Sequence, residues 1–289
     1  MIKKFGLVGK NIDYSFSKNY FSEKFINEAL KNHAYVNFDF SSIEGFTKLL
    51  KEGPILAGLN ITIPYKKEVI PFLDRITKDA QTIGAVNTIV WEKDGTTTGQ
   101  NTDHVGFQKA LEEISNKPPE KALILGTGGA SGAIKFVLDK MGCEVQFVSR
   151  QPKQNILNYG ALDKSKMDEV DLIVNTTPLG TFPDIEKMPP IPYQWITKKH
   201  LLFDLIYNPE ETTFMKLGKS KGAKTTNGYK NNFDNYLKRY LGKQSCDKWL
   251  DEAENRKEET ELRNFIFTLS DFFEKTIAEK RIASADYMN

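Results

Sequence analysis

Cysteine is scarce in this chain: Cys143 and Cys246 are its two thiols among 289 residues. So few thiols give no disulfide framework and fit a reducing, cytoplasmic setting. Histidine is equally thin, and His33, His104 and His200 are scattered, without metal-ligand spacing or a Ser/His/Asp signature. A metal centre is therefore not expected. Charge of one sign is also missing, because 40 basic side chains face 38 acidic ones and leave a net +2. No global field points to nucleic acid or to a membrane surface. Long apolar runs are absent too, and the opening Met1-Ile-Lys-Lys-Phe-Gly-Leu-Val-Gly9 lacks the h-region of a signal peptide. What remains is an ordinary soluble balance, 39% hydrophobic with 20 glycines, in a chain long enough for two moderate domains.

The most organised stretch is Lys121-Ala-Leu-Ile-Leu-Gly-Thr-Gly-Gly-Ala-Ser131. Residues 122–125 read as a buried parallel strand. Gly126, Gly128 and Gly129 turn the chain, and residues 130–141 read as a helix closed by Gly142. A strand, a glycine turn and a helix N-terminus together suit a pyrophosphate: backbone N–H groups face the anion and missing side chains let it approach. Ser131 stands where the third glycine of a dinucleotide fingerprint usually falls. Glycine turns also join strands to helices for structural reasons alone, so this loop needs a second signal. Residues 144–149 supply it as the next strand. An NAD site would place Asp or Glu at its end, about 20 residues on, to hold a ribose hydroxyl. Here the chain reads Ser149-Arg150-Gln151-Pro152-Lys153. A guanidinium fork and a lysine suit a 2′-phosphate, so the position argues for NADP over NAD.

The first half alternates strand and helix in a unit of its own. Residues 4–8 read as a strand, and Tyr20, Phe21, Phe25 and Ile26 as a helical stripe. A strand through 35–38, a short helix near 43–50 and an apolar segment over 55–63 follow. In Gly58-Leu-Asn-Ile-Thr-Ile-Pro-Tyr-Lys-Lys67, strand alternation puts Asn60 and Thr62 on one face. Pro64 is placed to open a helix at its first position. Residues 89–91 and 96–99 form an apparent hairpin around Asp94-Gly95, returning to Asn101-Thr-Asp103. On spacing alone Asp103 reads as the N-cap of a helix over 104–114.

Taken together these pieces resemble the shikimate dehydrogenase family over roughly residues 5–229. The Ser-x-Ser pair (Ser15, Ser17), Asn60-x-Thr-x-Pro-x-Lys66, Ala-Val-Asn87-Thr and Asn-Thr-Asp103-x-x-Gly106 come first. The glycine loop, Ser149-Arg150, Asn175-Thr-Thr-Pro-Leu-Gly180 and Asp204-Leu-Ile-Tyr-Asn-Pro-x-x-Thr212 follow in the family's order. Any one motif is weak, but eight in sequence are specific. The resemblance implies an α/β protein of two domains. Residues 1–103, completed by 230–289, would be an open α/β substrate domain, and 104–229 a Rossmann-like parallel-sheet NADP domain, with the active site in a cleft between them. It also implies reversible reduction of 3-dehydroshikimate to shikimate by NADPH. Lys66 and Asp103 match the family's catalytic pair. Ser15, Ser17, Asn60, Thr62, Asn87 and Tyr207 match substrate-binding positions. Gly126, Gly128, Gly129, Ala130, Ser131, Ser149, Arg150, Lys153, Asn175, Thr176, Thr177, Leu205 and Gly228 match the cofactor site. The expected partner is the small-molecule substrate, not nucleic acid or membrane, and the protein would act as a monomer or homodimer. A quinate/shikimate dehydrogenase using NAD, and a silent ligand-binding paralogue, are the alternatives.

The resemblance stops after Tyr229. The family continues with a methionine–leucine pair and a glutamine that binds a substrate hydroxyl, whereas this chain reads Lys230-Asn-Asn-Phe-Asp-Asn235. Asn235 falls at the glutamine's offset, one methylene shorter. Residues 247–263 are dense in charge, and Phe265, Phe267, Leu269, Phe272 and Phe273 follow. A variant closing cap, an altered reading frame in the source and a partner-binding helix are all compatible with that pattern.

Overall fold

A computed structural model describes residues 2–12, 17–27, 29–52, 56–92, 94–206 and 209–227. They fall into two compact units, with the boundary after Val105.

In the first unit, β1 (Lys3–Gly9) is an inner strand, its Phe5, Leu7 and Val8 buried. The chain passes through α1 (Ser17–Asn27) to β2 (His33–Asp39), and through α2 (Glu44–Glu52) to β3 (Leu56–Ile61). Both strands pair with β1 in parallel, as strand–helix–strand crossovers require. Then come β4 (Arg75–Ile76), α3 (Lys78–Ile83), β5 (Thr88–Trp91) and β6 (Thr97–Gln100). β5 and β6 form the expected antiparallel hairpin, with Gly95 at φ +83° in its turn. The six strands run in the order β2-β1-β3-β5-β6-β4. One core packs Phe46, Leu59, Ile61, Tyr65, Val69, Val86 and Ile89 together.

Two expectations fail here. Ile26 is 76% exposed, while Phe21 and Phe25 are buried. A residue is rotated by about 100° from its neighbour on a helix, so a face centred on Phe21 and Phe25 turns Ile26 away from the sheet. Nor does a helix open at Pro64. Residues 63–69 form successive turns, ended by a single 3₁₀ turn over Ile70–Phe72. The reason is tertiary. A helix would use the Lys66 carbonyl to accept from residue 70, but Val86 N–H takes that carbonyl at 2.7 Å. Buried Tyr65 holds the segment in place through a 2.6 Å bond from its hydroxyl to the Phe40 carbonyl.

The boundary lies within α4 (Asp103–Ile114), and the second unit continues with β7 (Lys121–Leu125), α5 (Gly129–Lys140) and β8 (Glu144–Val148). After β9 (Ile156–Leu157) come α6 (Lys164–Glu169), β10 (Leu172–Asn175), β11 (Leu201–Asp204), α7 (Thr213–Ser220) and β12 (Lys224–Thr226). All six strands are parallel, in the order β12-β11-β10-β7-β8-β9. β7, β10 and β11 are buried on both faces, which explains their nearly unbroken apolar runs. Beside them Leu123, Leu125, Val148, Ile173, Leu202 and Phe214 form one core. This is the Rossmann-like parallel sheet the glycine loop implied. Its helix begins at Gly129, one residue earlier than read, and Gly142 follows with φ +75°.

Candidate active site

The first unit collects its polar groups at the C-terminal end of β3 and the start of β5. Thr62 N–H donates to the Val8 carbonyl (2.9 Å), continuing the sheet as far as the turns that carry Lys66. Lys66 Nζ lies 2.7 Å from Asp103 Oδ2, and the two side chains are only 13% and 15% exposed. At that burial the pair is shielded from much of the screening that weakens surface ion pairs.

Asp103 corrects the N-cap reading. It lies inside α4, and its backbone N–H donates to Asn101 Oδ1 (3.1 Å). The helix therefore does not need its carboxylate, which faces Lys66 and Asn87 instead. Asn87 Nδ2 donates to Asp103 Oδ1 (2.8 Å) and to Thr102 Oγ1 (3.0 Å). Asn87 Oδ1 accepts from Thr102 N–H (2.9 Å) and from the Thr88 hydroxyl (3.0 Å). Asn87, itself fully buried, thus holds both oxygens' bearer in one orientation while Lys66 takes the other oxygen. Asn101 fixes the approach, donating to the Ala85 carbonyl at 3.0 Å.

A second polar group lies beside this one. Asn60, on β3, is buried and accepts from the Tyr35 hydroxyl at 2.9 Å. Ser17, at the start of α1, is buried and hydrogen-bonds the same phenol. The Ile61 N–H donates to the Asn87 carbonyl (2.7 Å), which ties the two groups together through the backbone. Ser15, Tyr207, Gly228 and Asn235 lie outside the described residues, as does all of 230–289.

In the second unit the strand ends make a backbone cradle. Gly126 has φ +107°, and a Cβ there would meet Thr176 Oγ1 at 2.8 Å, so the turn excludes other residues. Thr176 returns the contact by donating from N–H (3.0 Å) and hydroxyl (2.7 Å) to the Leu125 carbonyl. Gly128 caps α5 without a side-chain hydrogen bond, leaving the first-turn N–H groups for an anion. Nothing lies within 4 Å of where a Cβ on Gly128 would stand. Buried Ser131 turns its hydroxyl to the Gly128 carbonyl (2.7 Å), so it serves packing where a glycine was expected. Arg150 and Lys153 are exposed after β8, and Ser149 Oγ accepts from Gln151 N–H (3.2 Å). The positive charge of Arg150 reaches Tyr159, opposing the upward push that burial gives that phenol.

Asn175, Thr177 and Leu205 are organised by a residue that entered only as part of a motif. Asp204, fully buried, accepts from Asn175 Nδ2 (3.0 Å) and Ile206 N–H (2.9 Å) on one oxygen and from Thr212 Oγ1 (2.6 Å) on the other. Asn175 Oδ1 is thereby turned to Thr177, whose N–H and hydroxyl reach it at 3.0 and 2.7 Å. Leu205 N–H donates to the Asn175 carbonyl (3.1 Å). Burial pushes the Asp204 carboxyl up to about 6 against the pull of these donors.

Known proteins resemble this chain over most of its length. Residues 7–89 match the model of the shikimate dehydrogenase substrate binding domain. The shikimate dehydrogenase (NADP(+)) of Methanococcus maripaludis is 40% identical over 244 residues, covering 78% of this chain and 86% of that one. The chain belongs to the shikimate dehydrogenase family. The enzyme of the same name from Desulforamulus reducens is 36% identical over 249 residues, 77% of this chain and 83% of the relative. The shikimate 5-dehydrogenase of Thermus thermophilus, solved in complex with NADP(H) and shikimate, superposes with a TM-score of 0.68. It is 30% identical, and the match covers 79% of this chain and 88% of that one. As a member of this family, the chain carries the Lys66–Asp103 pair and the glycine cradle on separate units, each organised by its own sheet. Residue reading missed Tyr35 and Asp204 as organisers. For Tyr35 the available signal was its polar tip in a strand whose next-but-one neighbours, His33 and Asn37, share its face.

Proposed function

We propose that this protein catalyses the reversible, NADPH-dependent reduction of 3-dehydroshikimate to shikimate, a step of aromatic amino-acid biosynthesis. The observation that carries the proposal is the 2.7 Å Lys66–Asp103 pair, braced by Asn87, in a chain of the shikimate dehydrogenase family. NADPH, when bound, supplies the hydride for the ring ketone. The residues around the first unit's site do the rest. As the ketone oxygen gains negative charge, the Lys66 ammonium stabilises it and supplies the proton that makes the hydroxyl. Asp103 holds that ammonium in position, and Asn87 keeps the carboxylate from turning away. In the reverse direction the lysine takes the hydroxyl proton back. Ser15, Ser17, Asn60, Thr62, Tyr207 and Asn235 are assigned to the substrate's hydroxyls and carboxylate, with Asn87 at their border with the catalytic pair.

The second unit fits the cofactor. Gly126, Gly128, Gly129, Ala130 and Ser131 offer backbone N–H groups to a pyrophosphate. Arg150 and Lys153, beyond Ser149, supply charge for a 2′-phosphate. Asn175, Thr176, Thr177, Leu205 and Gly228 are assigned to the nicotinamide end. In this reading residues 1–103 with 230–289 form the substrate domain and 104–229 the NADP domain. The protein works in the cytoplasm as a monomer or homodimer.

Initial rates with shikimate and with quinate, each against NADP⁺ and NAD⁺, test the proposal by following the reduced nicotinamide. Shikimate with NADP⁺ is expected to be the preferred combination. Lys66→Ala should lower kcat by ~10²–10⁴, the usual contribution of a positioned acid–base group, and change KM far less. Unchanged turnover in that variant would refute the role given to Lys66.

A further inference from the structure

Asn60 leaves one group unanswered. Its Oδ1 is claimed by Tyr35, while its Nδ2 is buried and has no hydrogen-bond partner among the described residues. Leaving a buried amide donor unmade is costly, so such a group marks a place where a ligand completes the bond.

The orientation of that amide is set from two strands away. Leu7 of β1 stands opposite both Asn37 of β2 and Asn60 of β3, whereas Tyr35 stands opposite Phe5. The Tyr35 side chain therefore reaches diagonally across β1 to bring its hydroxyl to Asn60 Oδ1. α1 fixes the ring from above: Phe21 stacks on it with centroids 4.3 Å apart, and Ser17 hydrogen-bonds the phenol. A phenol has a single proton. Because it goes to Asn60, the Tyr35 oxygen accepts from Ser17, and the chain of bonds runs Ser17 to Tyr35 to Asn60. Burial keeps the Tyr35 phenol protonated, so this direction holds at any working pH.

We propose that Tyr35 is a positioning residue for substrate. By occupying Asn60 Oδ1 it forces Asn60 to present Nδ2, which makes this subsite a donor for an acceptor oxygen on a hydroxylated ring. The inference rests on the substrate class given above. It adds that the position discriminates by hydrogen-bond polarity. A ring lacking an oxygen there would leave a buried N–H unmade and be rejected, whereas a simple apolar pocket would tolerate it.

The test is a double-mutant cycle on the full chain with shikimate and NADP⁺. Tyr35→Phe keeps the ring against Phe21 and removes only the hydroxyl. It should raise KM for shikimate about tenfold, the worth of one well-oriented buried hydrogen bond, and leave KM for NADP⁺ unchanged. Asn60→Ala should raise the shikimate KM at least as much, and adding Tyr35→Phe to it should change nothing further, because Tyr35 acts through Asn60. Additive effects, or a Tyr35→Phe enzyme with the wild-type KM, overturn the inference while leaving the proposed reaction intact. A wild-type enzyme inert toward shikimate removes both. Should Tyr35→Phe not fold, Asn60→Asp decides the matter. Its carboxylate still accepts from Tyr35 but offers substrate no donor, so a wild-type KM in that variant overturns the assignment and a raised one supports it.

Discussion

Asp204 carries a charge into the centre of the second unit, where three donors meet it and, among the described residues, no cation acts on it. Burial raises its pKa from an ordinary 3.8 to about 6. A carboxyl raised in this way is bound more tightly to its proton in the fold than in the unfolded chain. Its contribution to stability is therefore complete below pH 3.8 and is lost as pH rises through about 6. At ~1.4 kcal/mol per pKa unit the whole effect is about 3 kcal/mol, of which roughly 1.3 kcal/mol falls between pH 7 and pH 5. Asp94, lowered to about 2 by the Thr96 hydroxyl and N–H, behaves oppositely, contributing above pH 3.8 and losing its effect as pH falls through 2. The pH 5–7 window therefore isolates Asp204 from that carboxylate. Asp204→Asn keeps an oxygen for Asn175 and Ile206 and offers an N–H to the Thr212 hydroxyl, so the fold should survive. Urea unfolding of both proteins at pH 7, 6 and 5 is the assay. The stability of wild type relative to variant should improve by roughly 1.3 kcal/mol from pH 7 to pH 5. A difference that stays constant across the range would refute the buried, uncompensated carboxylate.

The proposed cofactor site yields two further expectations. Arg150→Ala should raise KM for NADP⁺ about 10–100-fold, the loss of a charge-assisted hydrogen bond, without changing KM for NAD⁺. Equal effects on both cofactors in initial-rate measurements would remove the 2′-phosphate role. Gly126→Ala puts a Cβ 2.8 Å from Thr176 Oγ1 on a backbone at φ +107°, and should cost about 1–3 kcal/mol of stability. Calorimetry showing an unaltered Tm would mean that this turn tolerates a side chain.

Much of the site could be read before folding because its chemistry is written in local order. A glycine turn between an apolar strand and a helix declares a phosphate cradle through backbone conformation, and neighbours in sequence decide backbone conformation. Gly126 at φ +107° and Gly128 at the head of α5 stand where that pattern put them. The place of Arg150 just after β8 was legible for the same reason, since its distance from the turn follows from the length of one helix and one strand. Asp103 was misread as an N-cap because spacing names the nearest use of a carboxylate, and the competing partner, Lys66, is 37 residues away. The helix expected at Pro64 failed on the same ground: the loop ahead of β5, through Val86 N–H, took the Lys66 carbonyl that the helix needed.

By itself the order of residues determined the class of fold, the two units and the glycine turn between a strand and a helix, whereas the pairing of Lys66 with Asp103 came from the resemblance to a family. Periodicity, glycine and proline placement and charge act over a few residues and carry that information directly. Only the tertiary structure decided which way the buried amides point. Tyr35 crossing β1 to Asn60, Asn87 bracing Asp103 and Asp204 joining Asn175 to Thr212 are contacts between strands and loops 8 to 29 residues apart. A hydrogen bond's direction depends on which partner arrives there, and that is settled when the sheets assemble.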